Sequence, residues 1–298
     1  MERKAAGEGP SFPARIVQGD ARELIKDLDD ESFDAIITNF PFGVDLTYKG
    51  GEQPYYDEED YIVELIMEIL PHCYRVLKPD SWMVAFFDIR KITYSTPMTR
   101  VHSRMEAMAA KLVQLEAMSK ELYNMSRRDS EKAMGLAFWA EQAGFNWVSK
   151  VPAIWTKPNK TQGLIGDPNK GLISSYEAFI FMAKGQPVLM KKGLQNHFPF
   201  EVDLGADRVH AVQMPTEFCK HLTSMICLGG GRIFDPFAGS GATGLGALEQ
   251  QCEYLGFELD EEFCRYGNMR LQEHIHAKGS VDLDTHREEV PPEPSEDL

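Results

Sequence analysis

Two short stretches of this chain, far apart in sequence, hold residue types that can do chemistry together. The first is Asn39-Phe40-Pro41-Phe42, at the end of the apolar run Phe33-Asp34-Ala35-Ile36-Ile37-Thr38. A carboxamide followed by proline and an aromatic ring suits work on a planar ring amine. The lone pair of such an amine is delocalised into its ring. A protein that uses it must accept hydrogen bonds from both N–H groups and push the nitrogen toward sp³. Asn39 Oδ1 and the Phe40 carbonyl are the acceptors on offer. Phe42 can stack on a base turned out of its helix, replacing part of the stacking it has lost.

The second stretch is Ile233-Phe234-Asp235-Pro236-Phe237-Ala238-Gly239-Ser240-Gly241, an apolar run that enters a turn with two glycines. A glycine-rich strand-to-helix turn lets backbone approach a ligand closely and offers free N–H groups at a helix start. The turn has no phosphate-binding lysine, and Asp235 at its head suits the ammonium of an amino-acid-like ligand. The next apolar run ends Gly256-Phe257-Glu258-Leu259-Asp260, which places a carboxylate about twenty residues past the glycines. That is where dinucleotide folds hold ribose hydroxyls. Turn and acid together point to a nucleoside ligand.

Both stretches need a frame, and the hydrophobic pattern supplies one. Short apolar or β-branched runs predict strands over 14–18, 34–38, 82–88, 147–155, 178–183, 232–235 and 253–258. Helical periodicity and end signals predict helices over 59–77, 132–143, 216–227, 241–249 and 261–276, the first kinked or divided at Pro71 and the second closed by Gly144. Such alternation predicts an α/β fold: a Rossmann-like sheet with helices on both faces, spanning 13–278. Open sheets of this kind bind ligands at strand ends, where both stretches fall. Residues 99–128 break the pattern. Met105, Met108, Leu112, Leu115, Met118, Leu122 and Met125 recur every three or four residues, so a long amphipathic helix is inserted there. It packs on the domain, or serves a homodimer contact or DNA. Residues 279–298, acidic and carrying Pro291, Pro292 and Pro294, read as a disordered tail.

A net charge of −15 speaks against a phosphate-rich partner, because neutralising phosphates takes lysine and arginine. Distribution qualifies that. The acids concentrate in 20–34, 52–68 and 282–298, whereas 150–192 holds seven lysines against Asp167 and Glu177. Within a candidate target-recognition region over 157–200, Lys157, Asn159, Lys160 and Lys170 are the expected nucleic-acid contacts. His197 reads as an ordinary loop histidine, and Trp155 and Phe181 as core. The five cysteines are odd in number and widely spaced, so reduced packing residues are expected, with no metal site. Nothing approaches the roughly 20 consecutive apolar residues of a membrane span, and a soluble cytoplasmic protein is expected.

These motifs and their order resemble the DNA amino-methyltransferases of the N6-adenine and N4-cytosine family, in the permuted arrangement called the β class. In that family the tetrapeptide is Asp, Asn or Ser followed by Pro-Pro-Tyr or Pro-Pro-Phe, and the catalytic loop precedes the cofactor loop. Here Phe40 stands in place of the first proline. Gln18-Gly19-Asp20-Ala21 resembles the segment whose acid reads the cofactor adenine. Tyr74-Arg75-Val76-Leu77-Lys78-Pro79 and Ile154-Trp155-Thr156-Lys157-Pro158-Asn159 also follow in family order. His210-Ala211-Val212-Gln213-Met214-Pro215 is similar to His-Pro-x-Gln-Lys-Pro, with Met214 replacing lysine.

The resemblance implies S-adenosyl-L-methionine as cofactor, contacted by Asp20, Ala21, Asn39, the turn Asp235, Pro236, Phe237, Ala238, Gly239, Ser240, Gly241, and Glu258 with Leu259. It implies DNA as substrate, with Asn39 favouring adenine N6, and a restriction-modification setting. The alternatives are cytosine N4, adenine in structured RNA, and an inactive cofactor-binding protein that binds nucleic acid.

Overall fold

The computed structural model describes residues 13–41, 59–87, 135–159, 175–203 and 213–285. The helix expected over 99–128, and Phe42, Lys160, Lys170 and His210, lie outside the described residues.

β1 (Ala14–Gln18) is followed by the short helix α1 (Ala21–Leu24), which the Asp20 side chain caps, and a 3₁₀ turn over Ile25–Asp27. Then come β2 (Phe33–Asn39), α2 (Glu59–Val76), β3 (Leu77–Phe87), α3 (Leu136–Gln142), β4 (Ala153–Thr156), β5 (Tyr176–Lys184) and β6 (His197–Pro199). The last third holds α4 (Thr216–Ile226), β7 (Arg232–Asp235), α5 (Ala242–Glu249), β8 (Glu253–Glu258) and α6 (Glu261–Thr285).

The eight strands form one sheet in the order β1-β8-β7-β2-β3-β5-β4-β6. β5 runs antiparallel to both neighbours, and every other pair is parallel. From β2 the chain proceeds outward to β3. β7, on the other side of β2, proceeds the opposite way to β8. This reversal opens a crevice between β2 and β7 at their carboxyl ends. Ala35 pairs with Ile233 and Ile36 with Phe234, so Asn39 and Asp235 leave adjacent strands at that crevice.

Side chains alternate between two cores, as a pleated strand requires. Ile36, Phe40, Met83, Ala85 and Phe87 pack with α2 and α3 on one face. Ala35, Ile37, Val84 and Phe86 pack with α4 and α5 on the other. The outer edge of β1 is closed by α6: Asn268 accepts from Ile16 N at 2.8 Å and donates to Ile16 O at 2.8 Å, standing in for a missing strand. No helix among the described residues is long and apolar enough to cross a membrane.

Several boundaries differ from the sequence reading. α2 runs unbroken through Pro71. The proline faces solvent, and the buried row Ile62, Ile66, Ile69, Cys73 holds the helix on the sheet. The strand expected over 147–155 is confined to Ala153–Thr156, because Lys150 adopts φ +53 and turns the chain out of the extended path. β6 is three residues ending in proline, too short to show alternation. α6 continues to Thr285, so helical backbone extends through 279–285, where the tail was expected to begin.

Candidate active site

β2 is enclosed on both faces, with Ile36, Ile37 and Thr38 fully buried. It delivers Asn39 to the crevice opposite Phe86. Phe40 N donates to Phe86 O at 3.1 Å, so the ladder holds the loop for one residue beyond Asn39. Among the described residues Asn39 Oδ1 is buried and accepts no hydrogen bond. Such an orphan costs about 1–3 kcal/mol unless a ligand brings the donor. Phe40 is 1% exposed, its ring against Phe237 at 5.5 Å between centroids and edge-on to Phe87 at 6.4 Å.

Across the crevice, Asp235 is 1% exposed and turns inward, accepting from Phe237 N at 3.0 Å. Burial pushes its carboxyl up to about 6, against the Phe237 N–H and the nearby Thr38, Thr243 and Tyr254 hydroxyls. The Thr38 and Tyr254 hydroxyls complete no hydrogen bond of good geometry. Asp235 therefore shapes the turn through its bond from Phe237 N. Gly239 and Gly241 have φ of +51 and +79, a region that L side chains pay to enter. A Cβ on Gly239 would meet nothing within 4 Å, so the turn has open space beside that residue.

Glu258 folds back onto that turn, its carboxylate accepting from Gly239 N at 2.8 Å and Asp260 N at 2.9 Å. Burial nevertheless raises it to about 7. Sequence reasoning missed two further supports. Ser240 Oγ donates to Gln213 Oε1 at 3.0 Å, and Arg270 Nη1 donates to Ser240 O at 2.7 Å. Gln213 lies in the quoted hexapeptide, but Arg270 sits on a helix among other charges and carries no local signal.

β1 pairs with β8 so that Gln18 lies opposite Glu258, and Gly19 N donates to Glu258 O at 2.9 Å. Asp20 follows, accepting from Arg22 N at 2.9 Å as the cap of α1. The Arg22 guanidinium, hydrogen-bonded to the Asp20 carboxylate and to Tyr61 OH, holds that carboxyl below its ordinary range. The strand order thus gathers Asp20, Glu258, the glycine turn and Asn39 at one edge of the sheet.

The expected recognition contacts divide differently. Lys157 is 6% exposed, paired with Glu177 and 4.3 Å from the Trp155 ring centroid. It is not a surface cation, because its charge is neutralised inside the protein. Asn159 donates to Val202 O and accepts from Val202 N, both at 2.9 Å, so its amide bridges to that backbone as a strand would. Trp155 lies in the core as expected. Among the described residues no group of three or more His, Cys, Asp or Glu is arranged to hold a metal ion.

The sequence pattern of an N6/N4 family described as DNA methylase matches residues 33–269. The type II methyltransferase M.SmaI of Serratia marcescens is 26% identical over 86% of this chain and 90% of its own length. The DNA adenine methyltransferase YhdJ of Escherichia coli is 25% identical over 86% of this chain and 82% of its own. The crystal structure of the M1.HpyAVI-SAM complex shares the fold, with a TM-score of 0.57 and 20% identity over 87% of this chain and 98% of that one. With a family match that runs from the start of β2 into α6, and so takes in both sides of the crevice, the chain belongs to the N6/N4 DNA methylase family.

Proposed function

We propose that this protein methylates N6 of adenine in DNA, using S-adenosyl-L-methionine, in the permuted β-class arrangement. The observation that carries this reading is Asn39 Oδ1, buried and without a hydrogen-bond partner among the described residues, beside the glycine turn. An acceptor held dry at the mouth of a nucleoside site is what an amine donor completes. Asn39 Oδ1 and the Phe40 carbonyl accept the two N–H bonds of the target amine, drawing its nitrogen toward sp³. Phe42 stacks on the extruded base. Glu258 takes the ribose hydroxyls, Asp20 the cofactor's adenine, and the turn from Asp235 to Gly241 backs the methionyl part. When bound, the cofactor supplies a sulfonium-activated methyl group. The protein's contribution is proximity and orientation of the amine.

Adenine is favoured over cytosine by Asn39, through the resemblance to adenine-specific members, and by the similarity to YhdJ, a DNA adenine methyltransferase. Lys160 and Lys170 supply the DNA contacts, since Lys157 is neutralised and Lys184 is buried against the Tyr74 and Leu77 carbonyls. We place the protein in the cytoplasm, with the DNA it acts on. The test is incubation of purified protein with labelled cofactor and unmethylated DNA or RNA, digestion to nucleosides, and identification of the product by mass. N6-methyladenine from DNA is expected. N4-methylcytosine would move the reading to the other family branch, product from RNA alone would move the substrate, and intact cofactor binding with no transfer would leave an inactive binder. Asn39→Ala is expected to lose at least about a hundredfold in kcat with cofactor affinity nearly unchanged.

A further inference from the structure

We propose that Phe40 is a positioning residue that locks the amine-holding loop to the cofactor turn through its ring contact with Phe237, an inference that rests on the methyltransferase reading above. The resembling family has proline at this position and uses only its carbonyl. This chain instead carries an aromatic ring, buried to 1% exposure beneath the crevice. The ring lies against Phe237 of the glycine turn at 5.5 Å, inclined by 59°, and edge-on to Phe87 at the end of β3 at 6.4 Å and 83°. Both loops are tied to the sheet by their backbone. Phe40 N is tied to Phe86 O, Phe237 N to Asp235 Oδ1, and Ala238 N to Phe257 O. Phe87 in turn packs on Trp139 of α3 at 6.2 Å. A close-packed aromatic wedge between two loops transmits displacement, because a vacated volume is not refilled without movement of its walls. The distance from Asn39 Oδ1 to the cofactor turn is therefore set by the Phe40–Phe237 contact. Trimming either ring loosens the same distance.

A double-mutant cycle reads this. Phe40→Leu, Phe237→Leu and the double variant are compared with wild type in kcat at saturating cofactor, cofactor Kd by calorimetry, and melting temperature. Phe33→Leu, at the far end of β2 and in ring contact with Phe234, controls for loss of core packing. Phe40→Leu is expected to lower kcat about tenfold while cofactor Kd changes less than about threefold, and the double variant to be no slower than the slower single. Phe33→Leu is expected to lower the melting temperature without that loss of kcat. Multiplicative losses in the double variant, or a kcat loss in Phe33→Leu equal to that of Phe40→Leu, would overturn the proposal. Should Phe40→Leu fail to fold, Phe40→Met, whose flexible unbranched side chain removes the ring and adapts to the gap, is read the same way. If wild type binds cofactor and transfers no methyl group, the function reading fails by itself. The cycle is then judged on cofactor Kd, where independent effects of the two rings overturn the lock and non-multiplicative effects support it.

Discussion

A carboxylate that must be ionised to hold a diol, yet is buried enough to prefer its proton, makes affinity depend on pH. Burial raises Glu258 to about 7, against the pull of the Asp260 and Gly239 N–H groups. Below that value the empty site carries the proton, and cofactor binding must expel it. Cofactor affinity is therefore expected to weaken on acidification, approaching tenfold per pH unit well below 7, and to level off above it. Glu258→Gln should flatten the profile between pH 6.5 and 8 and bind about tenfold more weakly at pH 8. Calorimetric titrations at half-unit steps check this, and a wild-type Kd constant across the range would refute it. The position of Glu258 was legible in the sequence, because a strand tip follows from the apolar run before it. The inward turn of Asp235 was not. That depends on burial beneath Thr38, Thr243 and Tyr254, which come together only in the fold.

Elements hold these residues through contacts that no local pattern announces. α6 grips the edge of β1 with Asn268 and the glycine turn with Arg270. Arg270→Ala removes the donor to Ser240 O and should weaken cofactor binding about fivefold, with a stability loss of about 1 kcal/mol. Arg270→Lys should recover part of the affinity, since one donor suffices there. Cofactor titrations on both variants decide, and an unchanged Kd in Arg270→Ala would remove the arginine from the site's support. Lys157 makes the same point at β4. Paired with Glu177 in the interior, it ties the end of β4 to β5. Lys157→Met strands a buried carboxylate and should cost about 3 kcal/mol, whereas Lys157→Met with Glu177→Leu should recover most of it. Urea midpoints test this, and equal losses in the two variants would contradict it. The central strands β2, β7 and β8 were readable as near-continuous apolar runs, the signature of strands buried on both faces. β4 and β6 at the far edge were not. Lys150 interrupts one, and three residues are too few to define the other.

At the scale of the whole molecule, the sheet order concentrates two reluctant carboxylates, Asp235 and Glu258, at the edge where it also concentrates function. Both have folded values above the ordinary ones, about 6 and about 7 against 3.8 and 4.5. For such groups the favourable contribution is complete below the unfolded value and is lost as pH rises through the folded one. Asp20 works the other way. The Arg22 guanidinium lowers it, so its contribution is present above the unfolded value of 3.8 and is lost only under stronger acid. Between pH 5 and 8 the two buried acids therefore dominate, and the net charge of −15 adds self-repulsion in the same direction. Over pH 5 to 8 the cofactor-free protein should melt highest at pH 5 and lower at pH 8. Saturating cofactor should raise the melting temperature more at pH 8 than at pH 6, because it binds the ionised site. Glu258→Gln should remove part of the decline in the empty protein and the pH dependence of the cofactor's effect. Scanning calorimetry at pH 5, 6, 7 and 8, with and without cofactor, reads all three. A melting temperature of the empty protein that climbs steadily toward pH 8 would mean that burial at this edge does not control the stability of the molecule.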